Sequence, residues 1–255
     1  MEEIGVTADD GDALTNRRGQ PLRVLVVGAS SGIGATTATV AAGAGARVVG
    51  AARRFDRVAE LAGVTPVACD VRSVAECDGA VGWAAQTLGG LDALVYATGI
   101  TGLTPLDSAG PEIWMEIFAT NLFGAAMVTR AALPHLRAEG SDGRTVFLSS
   151  DSGVKPYPGL VAYGASKSAL SAFSQGLASE FPDLLVTEVV VGPTIDTEAA
   201  DHFDTDQFGA WFERWTNEGF IRYGYQASAD VAGVIVDALR SERPGALVMA
   251  AADPS

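Results

Sequence analysis

Leu22-Arg23-Val24-Leu25-Val26-Val27 runs directly into Gly28-Ala29-Ser30-Ser31-Gly32-Ile33-Gly34, and an Ala-rich stretch of helical character follows. A short apolar, β-branched run of this kind reads as a buried strand. Glycines directly after it let the backbone turn tightly and approach a pyrophosphate, while the next helix offers unpaired N–H groups and the positive end of its dipole. The spacing, Gly-x-x-x-Gly-x-Gly, differs from the Gly-x-Gly-x-x-Gly fingerprint but uses the same mechanics. Glycine is frequent in this chain, so the string alone says little. Strand before and helix after make it a phosphate-binding turn.

Working outward, strand-like runs alternate with helix-length segments. The runs are Leu22 to Val27, Arg47 to Ala51, Thr65 to Ala68, Ala93 to Tyr96, Thr145 to Leu148, Leu185 to Val191 and Ala246 to Met249. Such alternation implies right-handed crossovers and an α/β fold: a Rossmann-like, doubly wound, mainly parallel seven-stranded sheet with helices on both faces. Ligands should lie along the C-terminal strand ends. At 255 residues and 48% hydrophobic, the chain suits one domain, taken as residues 21–255. Residues 1–20 are acidic and poor in apolar side chains, and are expected to form a mobile tail.

Several classes are excluded by composition. A net charge of −14 argues against nucleic acid or an anionic membrane as a partner. No apolar stretch approaches the roughly 20 residues that span a bilayer, and Met1-Glu2-Glu3 lacks a basic signal start, so a cytoplasmic protein is expected. Cys69 and Cys77 lack the spacing of a metal or redox pair and read as reduced structural thiols. No metal site is expected.

The chemistry points to Tyr163-Gly164-Ala165-Ser166-Lys167. If Leu160 to Phe181 is helical, Tyr163 and Lys167 share one face at i and i+4. A phenol, with an ordinary pKa of about 10, exchanges protons near neutrality when a cation lowers that value. Lys167 is placed to supply the cation. By itself such a pair also arises by chance on helices.

With both motifs in hand, the chain resembles the short-chain dehydrogenase/reductase family from about Pro21 to about Ala250. The resemblance implies a catalytic set of Ser150, Tyr163, Lys167 and Asn121: Ser150 polarises a substrate carbonyl, and Asn121 holds a water linking Lys167 to solvent. It also implies a nicotinamide cofactor. That cofactor would lie on Gly28, Ser30, Ser31, Gly32, Ile33 and Gly34, with Asp70 and Val71 flanking the adenine and Ala97 and Gly99 beside it. Tyr163 and Lys167 would touch it too, while Pro193, the Ile195 backbone and the Thr197 hydroxyl would approach the nicotinamide carboxamide. Dimers or tetramers formed through the two long helices carrying Asn121 and Tyr163 are implied as well.

Which nicotinamide cofactor binds can be read from the second strand, whose end carries Ala52 where an acidic residue would favour NAD. Arg53 and Arg54 follow, and a guanidinium can hold a 2′-phosphate with two bonds. NADP(H) is therefore expected, with Arg53 as the main contact and NAD(H) as the other option. The plainer alternative is that both arginines open a solvated helix.

Three departures from the family pattern stand out. Tyr96-Ala97-Thr98-Gly99 keeps the glycine but loses an asparagine that braces the sheet. Gly192-Pro193 inverts the usual order, and proline's fixed φ bears on that loop. Ser31 replaces a basic residue common in NADP-dependent members. From Thr197 to Tyr225, where the family places a lid, stand Phe203, Phe208, Trp211, Phe212, Trp215, Phe220, Tyr223 and Tyr225. They fit an apolar or ring-bearing substrate, or simple packing of one amphipathic helix face. His202, Lys155 and Tyr157 are further lid and loop residues within reach of a substrate. The implied activity is interconversion of a carbonyl and a secondary alcohol with Tyr163 as acid and base. A non-catalytic NADP sensor and an epimerase or dehydratase are the alternatives.

Overall fold

Continuous runs of valine, leucine and alanine, with no polar alternation, make strands that must be covered on both faces. A computed structural model describes residues 13–198, 203, 205–221, 225–242 and 247–250. Its strands are β1 (Arg23–Val27), β2 (Arg47–Ala52), β3 (Val64–Ala68), β4 (Ala93–Tyr96), β5 (Arg144–Ser150), β6 (Leu185–Val191) and β7 (Leu247–Ala250). They form one seven-stranded sheet in the order β3-β2-β1-β4-β5-β6-β7, and each strand pairing in it is parallel. The expected start of the last strand, Ala246, lies outside the described residues.

The helices are α1 (Gly32–Gly43), α2 (Phe55–Ala59), α3 (Val74–Leu88), α4 (Pro111–Phe118), α5 (Gly124–Leu136), α6 (Asp151–Val154), α7 (Val161–Glu180), α8 (Thr205–Asn217) and α9 (Ser228–Arg240). A single π-helical stretch, Ala119–Phe123, joins α4 to α5. One face of the sheet packs Ala38 and Ala41 of α1 with Val231, Ile235 and Leu239 of α9. The other packs Cys77 and Val81 of α3, Val128 of α5, and Leu170 and Leu177 of α7. Each fully buried Val or Leu contributes about 1.5–3 kcal/mol. Both cysteines are buried and free, in keeping with structural thiols.

The chain leaves β1 in opposite directions, toward β2 and β3 on one side and, through β4, toward β7 on the other. The helices that follow β1 and β4 therefore cover opposite faces of the sheet, α1 on one and α5 on the other, and the crevice at these strand ends is where a ligand binds. At the opposite end of the sheet Arg23 and Asp92 pair through two bonds, Nε to Oδ2 at 2.8 Å and Nη2 to Oδ1 at 2.7 Å. Arg144, equally buried, donates to the carbonyls of Leu239 and Ser241 at 2.7 Å.

The expectation of a mobile tail as far as Gln20 is corrected over residues 13–20. Leu14 is 1% exposed, its N–H donates to Ala44 O at 2.7 Å, and Thr15 bridges Pro21. Asn16 accepts from Arg18 and Gln20 N–H, and Arg17 N–H donates to Asp142. A single leucine with a place in the core holds this stretch, which average composition does not reveal. Residues 1–12 lie outside the described residues.

Candidate active site

The glycine loop closes on itself more tightly than any side chain would permit. Gly28 has φ 94° and Gly32 has φ 51°, both in the left-handed region. A Cβ on Gly34 would stand 2.2 Å from Gly28 O, and one on Gly28 would stand 2.7 Å from Thr98 N, so the loops after β1 and β4 touch through backbone. Ser31 is the residue ahead of α1, and its side chain makes no capping bond to the helix. The first N–H groups of α1 thus face the crevice with Ser30, Ser31 and Ile33 around them.

Across the crevice, β5 delivers Ser150 and α7 delivers Tyr163 and Lys167. The Ser150 hydroxyl lies near enough to the Tyr163 phenol to lower its pKa. Lys167 is buried, lies under the Tyr163 ring with Nζ 5.7 Å from its centroid, and donates to Leu148 O at 2.7 Å. A Cβ on Gly99 would come within 3.2 Å of Lys167 Nζ, so the glycine after β4 keeps this cation reachable from the crevice. Asn121 sits in the π-helical stretch, fully buried. Its Oδ1 accepts Ile100 N–H at 2.8 Å, and its Nδ2 donates to Ile100 O at 3.0 Å and to Ser166 Oγ at 2.9 Å. The extra residue in that helical turn lets one amide tie the β4 loop to α7. Ser150, Tyr163, Lys167 and Asn121 are thus brought together as the spacing implied.

One electrostatic expectation is corrected. Burial pushes the Tyr163 phenol up to about 12, with the Ser150 bond lowering it and Asp151 raising it. The Lys167 ammonium does not offset this, being turned toward the Leu148 carbonyl, and burial brings Lys167 itself down to about 8. Sequence spacing places both groups on one face but carries no information about desolvation.

Asp151, not singled out by sequence, belongs to this cluster. Its Oδ1 accepts the Ser150 hydroxyl at 3.2 Å, and its Oδ2 lies 2.7 Å from the Tyr157 hydroxyl. Burial pushes the Asp151 carboxyl up, against the two hydroxyl bonds that lower it. An acidic residue directly after a strand-end serine is the signal that could have found it.

The two arginines after β2 take different positions. Arg54, not Arg53, stands on the glycine loop: its Nη2 donates to Ser31 Oγ at 2.8 Å, and its Nε and Nη2 lie 3.3 Å from Ser30 Oγ. Arg54 is the residue ahead of α2, with φ −87° and ψ 68°, and this bend swings its side chain back over the loop. Arg53 is exposed and acts on Asp70 through space. Asp70 is paired with Arg72 at 2.6 Å, which holds its carboxyl down to about 2. Val71 turns into the core with Tyr96 and Gly124.

After β6 the inverted Gly192-Pro193 is accommodated by Gln226, whose N–H donates to Pro193 O at 3.1 Å. Ile195 N–H donates in turn to Gln226 O at 3.0 Å. Thr197 lays its methyl on Gly32, 3.2 Å from where a Cβ would be. Asp196 takes a left-handed φ of 58° and accepts Ser228 N–H at 2.9 Å and Ser228 Oγ at 3.0 Å, pinning this segment to the start of α9. The lost asparagine after β4 leaves Thr98 Oγ1 buried without a partner, while the Tyr96 hydroxyl donates to Thr120 O at 2.5 Å.

Over the crevice, α8 presents its aromatic face. Trp215 is 4% exposed and packs with Leu103, Tyr157 and Leu160, its Nε1–H donating to Pro158 O at 2.8 Å. Phe203, Phe208, Trp211, Phe212 and Phe220 are partly buried around the same cluster, which includes the Tyr163 ring. Tyr225 stacks on Phe212 with centroids 5.8 Å apart. Lys155 donates to Gly219 O at 3.0 Å and lies over the Phe220 ring, so it braces the lid. His202 and Tyr223 lie outside the described residues.

Comparison with known proteins agrees with this geometry. The family model described as short chain dehydrogenase matches residues 23–207. The 11-beta-hydroxysteroid dehydrogenase A of Sesamum indicum is 38% identical over 66% of this chain and 51% of its own length. A Haemophilus influenzae protein named "Probable NADP-dependent dehydrogenase" is 32% identical over 61% of this chain and 64% of its own. A crystal structure of a dehydrogenase/reductase from Sinorhizobium meliloti 1021 superposes with TM-score 0.78 at 28% identity, covering 95% of this chain and 96% of that one. The chain spans 17% to 64% of the lengths of the first curated relatives it matches. It belongs to the short-chain dehydrogenase/reductase family, a family of oxidoreductases.

A nicotinamide dinucleotide, which that family binds, fits the residues present. The Gly28/Gly34 contact leaves room only for backbone beside a pyrophosphate, the α1 N–H groups face it, and Lys167 is open to the crevice past Gly99.

Proposed function

We propose that the chain interconverts a carbonyl and a secondary alcohol on an apolar or ring-bearing small molecule, using NADP(H) and Tyr163 as acid and base. The observation that carries this reading is the buried Lys167 ammonium 5.7 Å from the centroid of the Tyr163 ring, with the Ser150 hydroxyl near the phenol. Bound NADPH would supply the hydride, held by the glycine loop, Arg54 and Lys167. Tyr163 is protonated at neutral pH, the form that can give a proton to an oxygen gaining charge as hydride arrives. The Ser150 hydroxyl would hydrogen-bond that same oxygen. Lys167 has three donors, of which one holds the Leu148 carbonyl and the others are available to the cofactor.

The apolar substrate class is supported by the aromatic underside of α8 facing Tyr163, and by a relative named for a hydroxysteroid. NADP over NAD is supported by Ala52 in place of an acidic residue, by Arg54 on the serines of the loop, and by the relative named for NADP. Pairing of two copies through α5 and α7 is part of the same reading, supported by Phe123, which ends the π-helical stretch leading into α5, and Val161, which starts α7, both left exposed.

The test is NADPH oxidation with a panel of hydrophobic ketones. Tyr163→Phe is expected to lower kcat by roughly 10²–10⁴-fold with NADP affinity unchanged. Turnover that survives the substitution would remove Tyr163 from the chemistry, and turnover with NADH alone would remove the cofactor assignment.

A further inference from the structure

The two guanidiniums nearest the glycine loop already hold an anion, and it comes from the lid. Glu198 Oε2 is 2.6 Å from Arg54 Nη1, and Glu198 Oε1 pairs with Arg57 Nη1. One carboxylate therefore bridges two arginines, one at the end of β2 and one in α2, while the other edge of Arg54 rests on Ser30 and Ser31. This is the place where the NADP reading puts the 2′-phosphate. We propose that Glu198 is a cofactor-discriminating latch: its carboxylate competes with the 2′-phosphate of NADP for Arg54 and Arg57, and is displaced by it but not by NAD. The inference rests on the NADP reading above.

Charge decides the exchange. Two guanidiniums facing one carboxylate leave a unit of positive charge unbalanced, whereas a phosphate of about two negative charges balances both. The arginines hold the Glu198 carboxyl down to about 2, so it is ionised at every working pH and the competition is set by ligand, not by acidity. NAD, with a hydroxyl in place of the phosphate, has no charge with which to break two ion pairs. It binds with the latch in place.

Calorimetric binding of NADP+, NAD+ and 2′,5′-ADP to the full chain tests this, on wild type, Glu198→Gln and Arg54→Ala. Glu198→Gln is expected to tighten NADP+ and 2′,5′-ADP by roughly tenfold and to leave NAD+ unchanged, while Arg54→Ala weakens the two phosphate-bearing ligands. Hydrogen exchange supplies a readout independent of affinity: NADP+, not NAD+, should raise exchange at residues 196–198 in wild type, and Glu198→Gln should show the raised level without ligand. If Arg54→Ala weakens NADP+ while Glu198→Gln changes neither affinity nor exchange, the latch is wrong and the NADP reading stands. If wild type binds NAD+ as tightly as NADP+ and Arg54→Ala changes neither, the NADP reading itself fails and the latch with it.

Discussion

At Lys167 the site depends on a charge held away from water. Its pKa of about 8, against 10.5 when free, gives the folded state fewer bound protons than the unfolded state between those values, so unfolding free energy rises as pH climbs from 8 to 10.5. Tyr163 acts the other way but later: raised from 10 to about 12, it keeps its full contribution below pH 10 and loses it toward pH 12. The buried Cys69, pushed up, and Cys77, lowered, titrate across the same range, so the lysine is isolated by the difference between wild type and Lys167→Met. Urea titrations from pH 8 to 10 should show a stability gain of roughly 2 kcal/mol in wild type relative to the variant, with the variant more stable than wild type at pH 7. An identical slope in the variant would mean that Lys167 is not desolvated as described. Tyr163 and Lys167 were legible because a helical spacing puts them on one face, while Ser150 and Asn121 were reached through the family resemblance. Asp151 was not, since its role comes from burial and from the Tyr157 and Ser150 hydroxyls reaching it from two elements. Residue type does not say which of Arg53 and Arg54 turns back over the glycine loop; a bend ahead of α2 decides it.

At the level of the element, α8 has two jobs on one face. Trp215 anchors it through the Pro158 carbonyl and the Tyr157 ring, 5.5 Å between centroids, while Phe208 and Phe212 look along the crevice toward Tyr163. Trp215→Ala removes the anchor, and truncations of this size in packed sites lose about 3–5 kcal/mol. Amide exchange across residues 205–217 should therefore speed up by at least 100-fold, with KM for an apolar ketone rising and β-sheet protection unchanged. Unaltered exchange would show that the helix is held elsewhere. The aromatic periodicity announced this helix, yet could not separate packing from substrate contact, because the same stripe serves both. Strands were read to within two residues, the largest difference being β5, which extends through Ser149 and Ser150: the backbone of a serine pairs in a parallel ladder as readily as that of a valine when the neighbouring strand continues.

At the level of the whole molecule, parallel order and sheet position followed from alternation alone, while the segment before Pro21 did not, being fixed by Leu14. The exposed apolar side chains of the α4–α5 region, Met115 at 63% and Phe123 at 59%, are the molecule's outward counterpart to that buried leucine. On the paired reading of α5 and α7, light scattering on a size-exclusion column should give at least a dimer, and Phe123→Glu should shift it to monomer at micromolar concentration. A wild-type monomer would sink the pairing without touching the site. Leu14 carries one more implication. Ala44, whose carbonyl receives its N–H, ends α1 at the end of the sheet remote from the crevice, and Leu22 N–H donates back to Leu14 O at 2.9 Å. The polypeptide thus enters its fold from below, on a hydrogen-bonded footing, so a tag or another module joined ahead of Ala13 has a mounting point that leaves the mouth of the crevice clear.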